Sequence, residues 1–302
     1  MTATDISPLT AVIHQRIAQS GGRLPFDQFM ALALYEPGLG YYANQSLKFG
    51  RMPEGGSDFV TAPELSPLFG RALARQVGQA LEAGSGSAVW EFGAGSGALA
   101  EQLLDALGEQ LTSYTIVELS ASLRERQSQR LARFGDKVQW ASSLPEQIEG
   151  VVVGNEVLDA MPVQLLHWDG SQWFERGVAS QGSGFVWTDQ ATLLRPPVAG
   201  PFVPGTVIEI HRQAEAFVRT LARHLTHGAV FLIDYGFPED EFYHPQRVGG
   251  TLMCHRAHQS DMDPLVDVGA KDITVHINFT GIALAAQDAG LEVLGYTSQG
   301  RF

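Results

Sequence analysis

Val89-Trp90-Glu91-Phe92-Gly93-Ala94-Gly95-Ser96-Gly97 runs from strand character straight into glycines on alternate positions. Apolar spacing over 98–107 then opens a helix, so the local pattern is strand, tight glycine turn, helix. Glycine suits such a turn because it adopts positive φ, and because a missing side chain lets a ligand reach the backbone. The unpaired N–H groups at the helix start face that ligand. Two cofactor classes use this geometry. Dinucleotide enzymes seat a pyrophosphate on the helix N-terminus. Methyltransferases of class I lay the methionine and ribose of S-adenosylmethionine over the glycines, behind an acidic residue two positions before the first. Glu91 holds that position. The string also fits G-x-G-x-x-A, so Gly93, Gly95 and Gly97 alone leave both classes open.

Outward from the turn, β and α patterns alternate. Strands are predicted over 89–92, 114–118, 138–140 and 151–155, with helices over 98–107 and 120–134 between them. Alternation of this kind predicts a parallel sheet with right-handed crossovers. Val151-Val152-Val153 is apolar on both faces, as a central parallel strand requires. The fold class is therefore α/β, a Rossmann-like, mostly parallel sheet with helices on both faces. Upstream, helical spacing covers 8–19, 26–34 and 64–83. Residues 35–62 lack periodicity but carry Tyr35, Tyr41, Tyr42, Phe49 and Phe59, which reads as an aromatic-anchored loop or a lid over the cofactor. Downstream, short aromatic runs over 163–168, 173–178 and 185–187, broken by Asp169-Gly170 and Gly182-Ser183-Gly184, predict hairpins. Further strands are expected over 206–211, 229–235 and 291–296, helices over 213–224 and 279–290, and irregular chain over 247–272. The expected division is an N-terminal cap and lid loop (1–62), a cofactor-binding domain (63–161 and 205–302) and an inserted β unit for substrate recognition (162–204). A helix-strand unit running directly into Phe302 suggests a sheet finished in an unusual way or a sequence shorter than its natural product.

Composition narrows the function. A net charge of −13 disfavours a phosphate-backbone partner and fits a basic protein substrate. No apolar run approaches the ~20 residues of a membrane span. Cys254 is the only cysteine, which excludes an internal disulfide and indicates a reducing compartment. With an N-terminus resembling no signal or transit peptide, the expected location is cytoplasmic.

Chemistry is expected at the carboxyl ends of the strands. Glu118 ends the second strand and suits a ribose diol, which both cofactor classes carry. Asn155-Glu156-Val157-Leu158-Asp159 follows the fourth. A carboxylate there can hold the planar donor fork of a guanidinium and orient the nitrogen for in-line transfer. Glu156 is the first candidate and Asp159 the second, with Asn155 assigned to the cofactor; the plainer reading makes Asn155 and Asp159 caps of a following helix. Glu64, after Pro63, either opens a helix or meets the cofactor's α-amino group. The pairs His224/His227 and His255/His258 lack a third zinc ligand at suitable spacing, and Cys254 has no activating partner in the sequence.

Six segments occur in order: 35–42, 58–64, 91–97, 114–120, 155–163 and Asp234-Tyr235-Gly236. Together they resemble the MidA/NDUFAF7 family of S-adenosylmethionine-dependent methyltransferases over nearly the whole chain. The resemblance implies a class I methyltransferase fold with S-adenosyl-L-methionine as cofactor. It implies cofactor binding by Gly93, Gly95 and Gly97, ribose binding by Glu118, and an acceptor-facing Glu156. In the mitochondrial branch it implies protein arginine methylation during assembly of respiratory complex I. The sequence departs from the family pattern at Asn278, where aspartate is expected, and stops before a closing strand. An assembly factor that retains the cofactor fold and a nicotinamide oxidoreductase are the rival readings.

Overall fold

The computed structural model describes residues 6–44 and 61–302. Most of the expected lid, including Phe49, Asp58, Phe59 and Val60, lies outside the described residues. The described chain forms two compact units, one from 61–157, 217–234 and 285–302, the other from 6–44, 158–216 and 235–284.

The first unit holds a five-stranded, wholly parallel sheet. Its elements are α1 (Pro67–Glu82), β1 (Ala88–Phe92), α2 (Ala98–Leu107), β2 (Ser113–Val117), α3 (Ala121–Leu131), β3 (Val138–Ala141), β4 (Ile148–Asn155) and β5 (Leu225–Ile233). The strand order is β5-β4-β1-β2-β3, so the chain starts in the middle, winds to one edge, then reverses to the other. That reversal places a crevice at the carboxyl ends of β1 and β4. Val151 and Val153 join Leu73, Val77, Val89, Leu103 and Ile116 in one core, while Val152 packs with Phe92, Ile148 and Leu221 on the opposite face. Each fully buried aliphatic side chain contributes roughly 1.5–3 kcal/mol, so β4, covered on both sides, anchors the unit.

One predicted helix proves to be two. Residues 64–83 break at Ser66 into a turn, Ala62–Leu65, and α1. Pro67 disfavours helical backbone at the residue before it. Ser66 is accordingly extended, at φ −155° and ψ 135°, and caps α1 by accepting the Leu68 N–H at 3.2 Å. The helix predicted over 120–134 is also shorter, because Ser120 is its cap and a 3₁₀ stretch follows from Ala132.

Backbone contact across β1, β4 and β5 requires glycine. A Cβ on Gly228 would stand 1.8 Å from the Gly150 carbonyl oxygen, whereas one on Gly108 would meet nothing within 4 Å. Gly228→Ala is expected to destabilise the protein by about 3 kcal/mol or more. Gly108→Ala, strained only through its backbone at φ 53° and ψ −119°, should lose less, about 1–3 kcal/mol. Denaturant unfolding of the two variants checks the difference.

The second unit is largely antiparallel. Gln164–Trp168, Trp173–Gln181 and Gly184–Ala191 form the expected hairpins, and the sheet also takes in Leu24–Pro25 and Val207–Ile210. The helix Pro8–Gln19, capped by Ser7, buries Leu9, Ile13 and Ile17 in this unit, and Phe26–Tyr35 buries Phe29, Met30 and Leu34. The expected irregular stretch 247–272 contains strands, Met253–Arg256 and Gln259–Asp261, in a small sheet with Asp272–Thr274. Their shortness leaves no readable alternation. The strand expected over 291–296 is not formed. Those residues belong to no ladder, because apolar character alone does not supply a pairing neighbour.

Candidate active site

The glycine turn begins where β1 ends. Gly93, Gly95 and Gly97 all have positive φ, at 66°, 52° and 83°. Gly97 caps α2, and its N–H donates to the Ala94 carbonyl at 2.8 Å, closing the turn. A Cβ on Gly93 would lie 2.7 Å from Val157 Cγ2, so the loop after β4 sits directly against the turn. A Cβ on Gly97 would meet Gln127, Leu131 and Arg130 at 3.5 to 3.7 Å, so the turn also packs closely against α3, and its peptides lead into the amino end of α2, where unpaired N–H groups can meet a ligand.

Three carboxylates gather around this turn. Glu91, on β1, is buried and accepts a hydrogen bond from the Tyr114 hydroxyl at 2.6 Å. Burial pushes its carboxyl up to about 7; the Tyr114 bond opposes that and the Glu118 charge adds to it. Glu118, just past β2, accepts from the Ser120 N–H at 2.8 Å and from Gln127 Nε2 at 3.2 Å. Burial raises its carboxyl as well. Glu64 is bonded to the Ser96 hydroxyl inside the turn and to Arg130 Nη1 at 3.1 Å.

A raised carboxyl pKa means that the folded protein binds a proton more tightly than the unfolded chain. Stability from Glu91 is therefore full below the unfolded value and is lost as pH rises through about 7. Glu91→Gln should melt close to wild type at pH 5 and exceed it at pH 8, by on the order of 2 kcal/mol. Paired thermal melts at the two pH values check this.

Glu156 follows β4 in an unusual backbone state. Its φ is 52°, a left-handed conformation that side chains with a Cβ rarely adopt. Two bonds hold it there. Its own N–H donates to the Ile233 carbonyl at 2.8 Å, and the next N–H, of Val157, donates to Asp234 Oδ2 at 3.2 Å. The Asn155 side chain donates to Glu156 Oε1 at 3.3 Å, while burial raises the carboxyl above its ordinary value. No helix follows, so the capping reading of Asn155 and Asp159 is corrected: residues 156–163 are non-helical, with bends and a turn between Glu156 and Met161.

Asp159 belongs to the other unit. It is buried there, and its carbonyl accepts the Val275 N–H at 3.0 Å. In the same unit the Tyr42 hydroxyl donates to both Asp272 oxygens, at 2.8 and 2.9 Å, and its ring stacks on Tyr35 with centroids 5.5 Å apart. Asn278 is buried and accepts the Gly281 N–H at 3.3 Å, a bond that a neutral amide makes without charge.

The structure also shows residues that the sequence did not single out. Gln127 and Arg130 project from α3 onto the turn, and nothing local to 121–131 marks them. Arg130 binds Ser96, Glu64 and Glu101, at 2.8 Å for Ser96 and Glu101 and 3.1 Å for Glu64. The partners of Arg130 lie 29 to 66 positions away and those of Gln127 9 to 32, all outside α3 and beyond the reach of its periodicity. Among the described residues, no group of three or more His, Cys, Asp or Glu gathers as a metal site. His224 Nδ1 donates instead to the Pro145 carbonyl at 2.7 Å, and Cys254 is buried with its thiol pushed up to about 12 by burial.

A family model of S-adenosyl-L-methionine-dependent methyltransferases matches residues 69–297, which include the glycine turn, Glu118 and Glu156. The chain belongs to that family. Its cofactor is S-adenosyl-L-methionine, and the nicotinamide alternative is excluded by this membership. A Burkholderia thailandensis protein crystallised with S-adenosyl-homocysteine is 48% identical, with a TM-score of 0.93 over 97% of this chain and 79% of its own. Curated relatives include the Drosophila melanogaster protein arginine methyltransferase NDUFAF7 homolog, 28% identical over 94% of this chain and 71% of its own length. The Danio rerio protein arginine methyltransferase NDUFAF7 is 26% identical over 88% and 69%. Both relatives are mitochondrial, which corrects the cytoplasmic expectation. A single cysteine excludes an intrachain disulfide but does not distinguish one reducing compartment from another. Among the described residues, no helix is long and apolar enough to cross a membrane.

Proposed function

We propose that this methyltransferase acts on an arginine side chain of a protein, in the manner for which its curated relatives are named. The observation that carries the reading is Glu156, a partly buried carboxylate held in left-handed backbone at the carboxyl end of β4. Backbone strain of about 1–3 kcal/mol persists only where the surroundings enforce it, and such sites concentrate where chemistry is done.

S-adenosyl-L-methionine supplies a methyl group on a sulfonium sulfur, and the rate of its transfer depends chiefly on alignment. In this reading Gly93, Gly95 and Gly97 accept the cofactor against bare backbone. Glu118 takes the ribose diol, and Glu64, Glu91 and Asn155 complete the cofactor side. Glu156 receives the guanidinium fork through paired charge-assisted bonds and turns one nitrogen toward the methyl group. The antiparallel hairpins over 162–204 serve substrate recognition, and the acidic net charge favours a basic segment as target. The family resemblance extends this to a subunit of a respiratory complex during assembly.

The test is transfer of tritiated methyl from S-adenosylmethionine to proteins of a cell lysate by the purified chain, followed by acid hydrolysis of the labelled band. Label in methylarginine supports the reading. Label confined to another residue refutes the arginine assignment, and cofactor binding without any transfer favours the assembly-factor alternative.

A further inference from the structure

Gln127 is fully buried, yet its side-chain amide is satisfied at both ends. Its Oε1 accepts the Trp140 indole N–H at 2.9 Å. Its Nε2 donates to the Gly95 carbonyl at 2.9 Å and to Glu118 Oε2 at 3.2 Å. The orientation is fixed by chemistry, because an indole nitrogen only donates while a carbonyl and a carboxylate only accept. One amide thus ties together the carboxyl ends of β1, β2 and β3. It grips the middle glycine of the turn by its peptide and the ribose-assigned carboxylate by an oxygen, and its Cγ would lie 3.5 Å from a Cβ on Gly97.

We infer that Gln127 is a positioning residue for the cofactor, setting the spacing between the glycine turn and Glu118 so that both engage one nucleoside at once. The inference rests on the assignment of Glu118 to the ribose. The Ser120 N–H holds Oε1 and Gln127 holds Oε2, so the carboxylate cannot swing about its last bond. Each oxygen keeps a further lone pair, and those remaining pairs point in fixed directions for a diol. A ligand that meets two preset anchors loses less freedom on binding than one that must order them.

A double-mutant cycle tests this, read by calorimetric affinity for S-adenosyl-homocysteine. Gln127→Met, near in volume, should weaken binding about tenfold. Once Glu118→Ala is present, the same substitution should weaken it no more than about threefold, since one of its two targets is gone. Gln127→Glu is the second probe. It preserves the acceptor for Trp140 and the side-chain volume but cuts the two N–H donors to at most one O–H, so Gly95 and Glu118 can no longer be held together. It too should weaken binding at least tenfold, with cooperative thermal unfolding retained. Equal losses from Gln127→Met with and without Glu118→Ala would overturn the inference while leaving the ribose assignment intact. Unchanged affinity in either Gln127 variant would overturn it as well. Unchanged affinity in Glu118→Ala alone would remove the ribose assignment and this inference together.

Discussion

Gly95→Val is expected to reduce affinity for S-adenosylmethionine by about a hundredfold or more, in a protein that still folds. Two effects add. The backbone at Gly95 sits at φ 52°, where a β-branched residue is strained by about 1–3 kcal/mol, so the turn shifts to escape it. Under the proposed assignment of the glycine turn, the new side chain also occupies the surface meant for the cofactor. A hundredfold loss corresponds to about 2.7 kcal/mol, within reach of either effect alone. Titration calorimetry measures it, and far-ultraviolet circular dichroism confirms that the sheet remains. Binding within about threefold of wild type would show that the cofactor does not contact this turn.

Glu156→Gln should do the reverse. Cofactor affinity is expected to stay within about twofold, while kcat/KM for methyl transfer falls by about 10²–10³. The amide keeps the shape and the Asn155 contact but loses the charge proposed to orient a guanidinium. A loss confined to KM would mean that Glu156 only holds the acceptor, whereas equal losses in kcat and kcat/KM would place its contribution in the transition state. Collapse of cofactor affinity instead would move Glu156 to the cofactor side. Glu156→Gly provides a companion measurement. It relieves the left-handed backbone, so it should inactivate the enzyme while leaving stability unchanged or raised by up to about 1 kcal/mol.

The features legible in the sequence were those written in short-range pattern. Alternate glycines after an apolar strand marked the turn, a valine run apolar on both faces marked β4, and acids at strand ends marked Glu118 and Glu156. Each depends on a few adjacent residues, so a single sequence carries the signal. Gln127 and Arg130 depend on partners outside their own helix and look like ordinary polar positions of an amphipathic helix. The strands at Met253–Arg256 and Gln259–Asp261 are too short to show alternation. Residues 291–296 have strand composition without a partner to pair with. The break at Ser66-Pro67 was readable in principle, since proline restricts its predecessor, but the continuous apolar register across it masked the signal. The positive φ of Glu156 has no sequence signature, because any non-glycine residue there is held by the neighbouring strand end rather than by its own preference.

The strand order of the parallel sheet bears on how the protein is made. β4 pairs on one side with β1, already synthesised, and on the other with β5, which is translated roughly 80 residues later. At about 5–20 residues per second, a ribosome leaves that flank of β4 bare for roughly 4–16 seconds. The waiting edge is valine-rich and carries unsatisfied peptide groups, the kind of surface that nascent chains stick to. The antiparallel hairpins are completed during the same interval from nearby segments, so their folding need not wait. Newly made chains of this protein should accordingly draw on holding chaperones until residue 233 has emerged, and fragments released from the ribosome should aggregate when they end before 225 but not when they end after 240.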